Sequence, residues 1–265
     1  MKPAVLATAW LPLLLCGAET GACRLSKGMY NDWLAARVKP GLSGQAFREQ
    51  TGTPSPAPEK IEGFEQEYRR YVAELSDAMA RKDAEAVRAC CEEAAGDRAG
   101  ALICRLAAYL TGARADSATF LKGFPGGKDG IAMVWDLDSL TGTAGKTMFP
   151  PRGPSYRLID ELFLLALDER GEAIDRYFHL WANGSGDSVH YMDGQVRILL
   201  MQAPAVVVNQ WMLLRRYRPR LNSVLEDARK TTSPAEMEKA TRAVRGFCSK
   251  GNPDCQEILK MYTKR

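Results

Sequence analysis

The sequence predicts an all-α protein of stacked antiparallel helical hairpins, whose extended form is a short α-solenoid. Two observations predict it. Beyond Glu59, apolar residues recur at three- and four-residue steps along most of the chain, the spacing of one helix face. No segment keeps the period-two alternation of a half-buried strand, and the most strand-like run, Ala205–Val208, sits inside a helical pattern.

The chain opens with one positive charge, in Met1-Lys2-Pro3. An uncharged and largely apolar run follows from Ala4 to Leu15, then the small residues Gly17, Ala18, Gly21 and Ala22. Charge, apolar run and small residues in that order make a secretory signal over residues 1–22. The run is too short to cross a bilayer as a helix, which takes about 20 residues. Cleavage after Ala18 and cleavage after Ala22 both satisfy the small-residue pattern. The second removes Lys2 and Glu19 together and leaves the net charge at +4.

Residues 23–58 read as an irregular linker or an arm lying over the domain. Gly41, Gly44 and Gly52 are scattered through them, and Pro54-Ser55-Pro56-Ala57-Pro58 is stiff and extended. A short helix fits near 31–38. From residue 59 the helical pattern begins and runs to residue 265. Phe64, Tyr68, Tyr71, Val72, Leu75 and Met79 mark the face of one helix. Asp83 caps a second, which passes Val87 and Cys90 and stops at Gly96. Asp97 starts a third, with Leu102, Ile103, Leu106 and Leu110 inward and Gly112 as its stop. Short helices fit 117–124 and 129–140. The Gly-, Thr- and Pro-rich stretch 141–154 reads as a loop that subdivides the region into 59–140 and 155–265. After it come helical pairs at 155–170 with 172–182, and at 187–202 with 205–217. Ser233-Pro234-Ala235-Glu236 is a capping box, and Asn252-Pro253 opens the terminal helix.

Shifting the first of those pairs by 33 residues lays Phe163 on Val196, Leu165 on Ile198, Leu167 on Leu200, Ile174 on Val207, Phe178 on Trp211 and Leu180 on Leu213. In this apolar spacing the 60-odd residues resemble α-solenoid units of the HEAT or tetratricopeptide kind, although the tetratricopeptide Trp/Leu-Gly/Tyr signature is absent. Segments 89–112 and 246–262 are similar in outline to the cysteine-bridged hairpins of Sel1-like repeats, with different cysteine spacings. The resemblance implies a surface that binds proteins.

Six cysteines follow the signal: Cys23, Cys90, Cys91, Cys104, Cys248 and Cys255. Their even number in an exported chain points to disulfides. Cys248 and Cys255 flank a turn, as do Cys91 and Cys104, with Cys90 a second candidate for the latter bridge. Cys23 takes the leftover partner or carries a lipid. The second fate follows from Thr20-Gly21-Ala22-Cys23, which resembles a bacterial lipoprotein box but has Thr20 where an aliphatic residue is usual. A lipid there tethers the domain to a membrane surface without spanning it.

Chemistry is sparse. Gly142–Thr147 (GTAGKT) lacks the first glycine of a phosphate loop, and Leu140 stands in its place. His190 has Asp187 three residues before it and Asp193 three after, a weak candidate for catalysis or metal binding. Ser185 and Ser188 lack a nucleophile elbow. Asp160, Glu161, Asp168, Glu169, Glu172 and Asp175 supply carboxylates that would serve glycoside hydrolysis only if two faced one cleft. Arg215, Arg216, Arg218 and Arg220 form the one basic cluster. A charge of +4 is too mild to indicate nucleic acid, and no C-x-x-C redox motif, metal motif or cofactor motif is present. The expectation is an exported, periplasmic or secreted helical protein that binds another protein or serves as a structural module of the bacterial cell envelope, without a cofactor and without a transmembrane helix in the mature chain. The alternative is an envelope hydrolase using helix-borne carboxylates or His190.

Overall fold

A computed structural model describes residues 23–38, 58–112, 117–125, 127–184, 187–248 and 253–263. The expected export signal over 1–22 and the proline-rich stretch over 39–57 lie outside these. Every regular element among the described residues is helical, and no helix there is long and apolar enough to cross a membrane.

The short helix expected near 31–38 is present and begins at Met29. Helix α1 (Met29–Val38) carries Met29, Tyr30, Trp33 and Ala36 on one face, all buried. That face packs against α2 (Pro58–Ala80), whose own stripe of Tyr68, Tyr71, Val72, Leu75 and Ala78 is also buried. Burial of two large aromatic rings stabilises a helix whose sequence is weakly amphipathic on its own.

Helices α3 (Ala84–Ala94) and α4 (Arg98–Thr111) pair across a short turn and begin at the expected caps. Asp83 accepts from the Ala86 N–H at 2.9 Å, and Asp97 Oδ1 from the Gly100 N–H at 2.8 Å. Asp97 does more than cap. Its buried carboxylate also takes the Tyr68 hydroxyl at 2.5 Å and the Tyr30 N–H at 2.7 Å, so one side chain joins α1, α2 and α4. Burial first, then the nearby Asp97, pushes the Tyr68 hydroxyl far above its ordinary range, which keeps it a donor. Helix α5 (Ser117–Lys122) lies where expected.

The next helix corrects the first part of the loop reading of 141–154. Helix α6 (Gly127–Met148) carries helical structure as far as Met148 across a kink at Gly142, where φ is 54° and ψ −134°, and 149–153 is a turn. Thr141 Oγ1 bonds back to the Leu137 carbonyl at 2.8 Å and so satisfies itself within the helix. A Cβ on Gly145 would overlap Thr141 Oγ1 and lie 3.0 Å from Pro154 Cδ. The two glycines therefore serve a bend and a close approach, and Gly142–Thr147 is not a phosphate-cradling loop. Helix α6 packs against both α2 and α7 (Pro154–Leu167), and the buried cluster is continuous from Cys23 to Tyr262.

Helices α7 and α8 (Gly171–Asn183) pair as expected, burying Leu158, Ile159, Leu162 and Ala166 with Ile174, Tyr177, Phe178 and Trp181. Helix α9 (Asp187–Gln202) follows. The single helix expected over 205–217 is broken into α10 (Pro204–Asn209), α11 (Trp211–Leu214) and a 3₁₀ turn at Arg215–Tyr217. The break at Gln210 turns Trp211 inward, where its indole N–H donates to Glu257 at 3.0 Å. The two hairpins that align at a 33-residue shift thus differ in their second helix. Helix α12 (Arg218–Thr231) leads to α13 (Pro234–Phe247), which opens with the expected capping box. There the Glu236 N–H donates to Ser233 Oγ at 3.3 Å and the Ser233 N–H to the Glu236 carboxylate at 3.1 Å. Helix α14 (Pro253–Thr263) packs on α13, and its Tyr262 hydroxyl donates to the Leu200 carbonyl at 2.7 Å.

Three cysteine pairs stand at disulfide distance. The Cα–Cα separations are 4.8 Å for Cys23–Cys90, 5.3 Å for Cys91–Cys104 and 5.4 Å for Cys248–Cys255. The choice between Cys90 and Cys91 as the partner of Cys104, open from the sequence, falls to Cys91.

Candidate functional site

Two clefts combine open chemistry with defined walls. The first lies between α9, the start of α10 and α13. Ile198, Met201 and Gln202 follow one another at helical spacing on α9, and Ala240 and Ala243 face them from α13. The alanines leave room for a cleft of about 680 Å³, which Pro204 also lines. Ile198 is 42% exposed, and Phe247, one turn beyond Ala243, is 54% exposed. Apolar exposure with a polar rim marks interaction surfaces.

That rim is cationic. Arg197 donates to Thr232 Oγ1 at 2.6 Å and makes no ion pair among the described residues, and neither does Lys239. The rim carboxylate, Glu236, is committed to the Ser233 cap. The Ser233 side-chain and backbone hydrogen bonds hold it below the usual carboxylate range.

The second cleft is a cavity of about 250 Å³ between the 149–153 turn, the first turns of α7 and Tyr191 of α9. Its floor is a hydrogen-bonded relay. The Tyr177 hydroxyl donates to Gln195 Oε1 at 3.0 Å; Gln195 Nε2 and the Tyr191 hydroxyl both donate to Asp160 Oδ1, at 2.7 and 2.5 Å. Tyr177 and Gln195 are buried, so the donors are fixed in place. Burial, with the Asp160 hydrogen bond behind it, pushes the Tyr191 hydroxyl up to about 12. Burial raises Tyr177 as well. Both phenols remain donors at neutral pH, and neither can act as a base.

Above the relay the Arg152 guanidinium lies over two rings, 4.5 Å from the Tyr191 centroid and 5.4 Å from that of Tyr156. The rings meet edge-on at 5.0 Å. Arg157, on the same wall, pairs with the buried Glu161 at 2.7 Å. The cavity wall thus carries two guanidiniums, Arg152 and Arg157, and the Asp160 carboxylate.

Of the residues singled out in the sequence, Asp160 lines this cavity, while the His190 group and the basic cluster fall elsewhere. His190 is 83% exposed and stands 4.0 Å from Asp193 Oδ2. Asp193 directs Oδ1 to the Trp181 indole N–H at 2.6 Å, and Asp187 is exposed in the first turn of α9. The three are not gathered around a cleft. Of the basic cluster, Arg216 pairs with Asp175, and Arg218 with Glu257 at 2.5 Å. Arg220 stacks 4.5 Å over Trp181 and donates to its carbonyl. Only Arg215 projects into solvent without such a contact, so the cluster stitches the 3₁₀ turn and α12 to α8 and α14. Ser185 lies outside the described residues.

Family models, curated proteins and solved structures give no match to this chain.

Sequence reasoning named Asp160 among the carboxylates but missed Arg152, Tyr191 and Gln195. Tyr191 and Gln195 are one turn apart on α9, a visible spacing. Their convergence on Asp160, 31 and 35 residues away, depends on how α7 meets α9. Cys23, the lipidation candidate, is buried at disulfide distance from Cys90. A sulfur joined to another cysteine carries no thioether lipid, so the two fates are exclusive.

Proposed function

We propose that this chain is an exported α-helical protein of the bacterial cell envelope that docks a partner protein in the groove between α9 and α13. The carrying observation is the exposure of Ile198, at 42%, on the floor of a cleft rimmed by Arg197 and Lys239. That combination fits a segment bearing an apolar anchor flanked by carboxylates. The anchor removes Ile198 from water, and the carboxylates meet the rim cations. Stacked helical hairpins commonly present such surfaces to partner proteins. Export rests on the opening charge–apolar–small order of the sequence, and cysteines at disulfide distance suit an oxidising compartment. With Cys23 paired to Cys90, the protein is periplasmic or secreted without a lipid anchor.

A photo-crosslinking residue placed at Lys239 in the full chain, expressed in cells, tests the docking. The expected result is one discrete adduct to an envelope protein, lost in the Ile198→Glu variant. Ile198 is exposed, so that variant retains its helical signal and thermal midpoint. An adduct that survives Ile198→Glu, or none from several rim positions, overturns the reading.

A further inference from the structure

We infer that the cavity beside Asp160 and Arg152 binds a free amino acid, its ammonium on Asp160 and its carboxylate on Arg152. Both residues line the same space of about 250 Å³, yet they form no ion pair with each other. Opposite charges lining one small cavity ordinarily close on each other. Here Tyr191 holds them apart. Its ring face carries the guanidinium, with Cζ 4.5 Å from the centroid, and its hydroxyl holds the carboxylate at 2.5 Å. Gln195 supplies the second donor at 2.7 Å, and Tyr177 fixes Gln195 from behind. Both donors reach Asp160 Oδ1, which leaves Oδ2 for a ligand.

The charge pattern selects among ligand classes. A simple anion satisfies Arg152 but is repelled by Asp160. A simple cation satisfies Asp160 but is repelled by Arg152. A zwitterion pairs both and leaves no desolvated charge alone. Pro150 and Pro151 give the cavity an apolar wall for a short side chain. The volume is below the roughly 300–1,000 Å³ of drug-sized sites, which restricts the ligand to about the size of an amino acid.

Isothermal titration of the purified full chain tests this, with the standard L-amino acids, acetate and ethylammonium as separate probes. At least one amino acid binds about tenfold or more tightly than acetate or ethylammonium. Arg152→Gln and Asp160→Asn each weaken that binding by about tenfold or more. Arg152 is exposed and its guanidinium lies over the Tyr156 and Tyr191 rings, so Arg152→Gln keeps the helical signal. Arg152→Lys, which keeps a cation over the rings, separates loss of the ligand contact from loss of ring packing. Ile198→Glu, in the separate groove, leaves amino-acid affinity intact. The inference is overturned if no amino acid binds, if acetate or ethylammonium binds as tightly, or if Arg152→Gln keeps full affinity.

Discussion

Asp97 precedes α4, and its two carboxylate oxygens hold donors from three elements: the Tyr30 N–H, the Tyr68 hydroxyl and the Gly100 N–H. All lie in the core, where a donor stripped of its acceptor gains no water in exchange. Asp97→Ala is therefore expected to lower unfolding stability by about 3–5 kcal/mol. Asp97→Asn keeps one oxygen but turns an amide toward a donor, and is expected to lose about 1–3 kcal/mol. Urea denaturation at unchanged m-value measures both; an alanine variant within about 1 kcal/mol of wild type refutes the joint role. The capping of α4 by Asp97 was legible in the sequence because a cap is local. The arrival of Tyr30 and Tyr68, 67 and 29 residues away, was not. The same holds for Asp160, whose partners come from a different helix. His190 illustrates the converse. Its flanking carboxylates were legible as spacing, but the spacing describes an exposed helix face.

Elements were legible where an apolar stripe and a cap agreed, as in α3, α4 and α13. They were misread where local propensity opposes the tertiary outcome. In Thr141–Thr147, two glycines and three threonines argue for a loop. The stretch is helical because Gly145 lets α6 approach Pro154 and because Gly142 alone takes the strained bend. The helix expected over 205–217 failed for the opposite reason. Its apolar periodicity is good, yet burying Trp211 against Glu257 outweighs continuing one straight helix through Gln210. The bend gives a contrast between two glycines. Gly142→Ala puts a Cβ on a residue at φ 54°, 3.1 Å from the Arg69 guanidinium, and is expected to cost about 1–3 kcal/mol. Gly194→Ala, inside α9 with open space around its Cβ, is expected to add about 0.4–1 kcal/mol. Thermal unfolding of both variants reads the difference. Equal effects would mean that the bend is not strained.

For the whole molecule, the all-helical class was legible from periodicity, because that signal sums over the entire chain. The mutual packing of the helices was not, because it depends on which faces meet. The cysteine pairs lie between these cases. Cys248–Cys255 and Cys91–Cys104 close short turns, with sequence separations of 7 and 13, and short turns can be read locally. Cys23–Cys90, at a separation of 67, emerged only as the remainder. Its long loop gives it the largest constraint on the unfolded chain. Chain-entropy scaling assigns it about 4 kcal/mol, against about 2–2.5 kcal/mol for Cys248–Cys255. It also pins the segment that carries Tyr30 and Trp33 into the core, so its removal loosens α1. The double variant Cys23→Ser/Cys90→Ser should thus lose more stability in denaturant than Cys248→Ser/Cys255→Ser, and its α1 amides should exchange faster. The same pairing fixes the state of Cys90 in the mature protein. With three disulfides, thiol labelling of unreduced, denatured protein finds no reactive cysteine among the six. If Cys23 instead carries a lipid, Cys90 is left with a free thiol. Labelling at Cys90 alone, with a lipid-sized mass increase on the N-terminal peptide, reverses both the stability order and the unanchored reading.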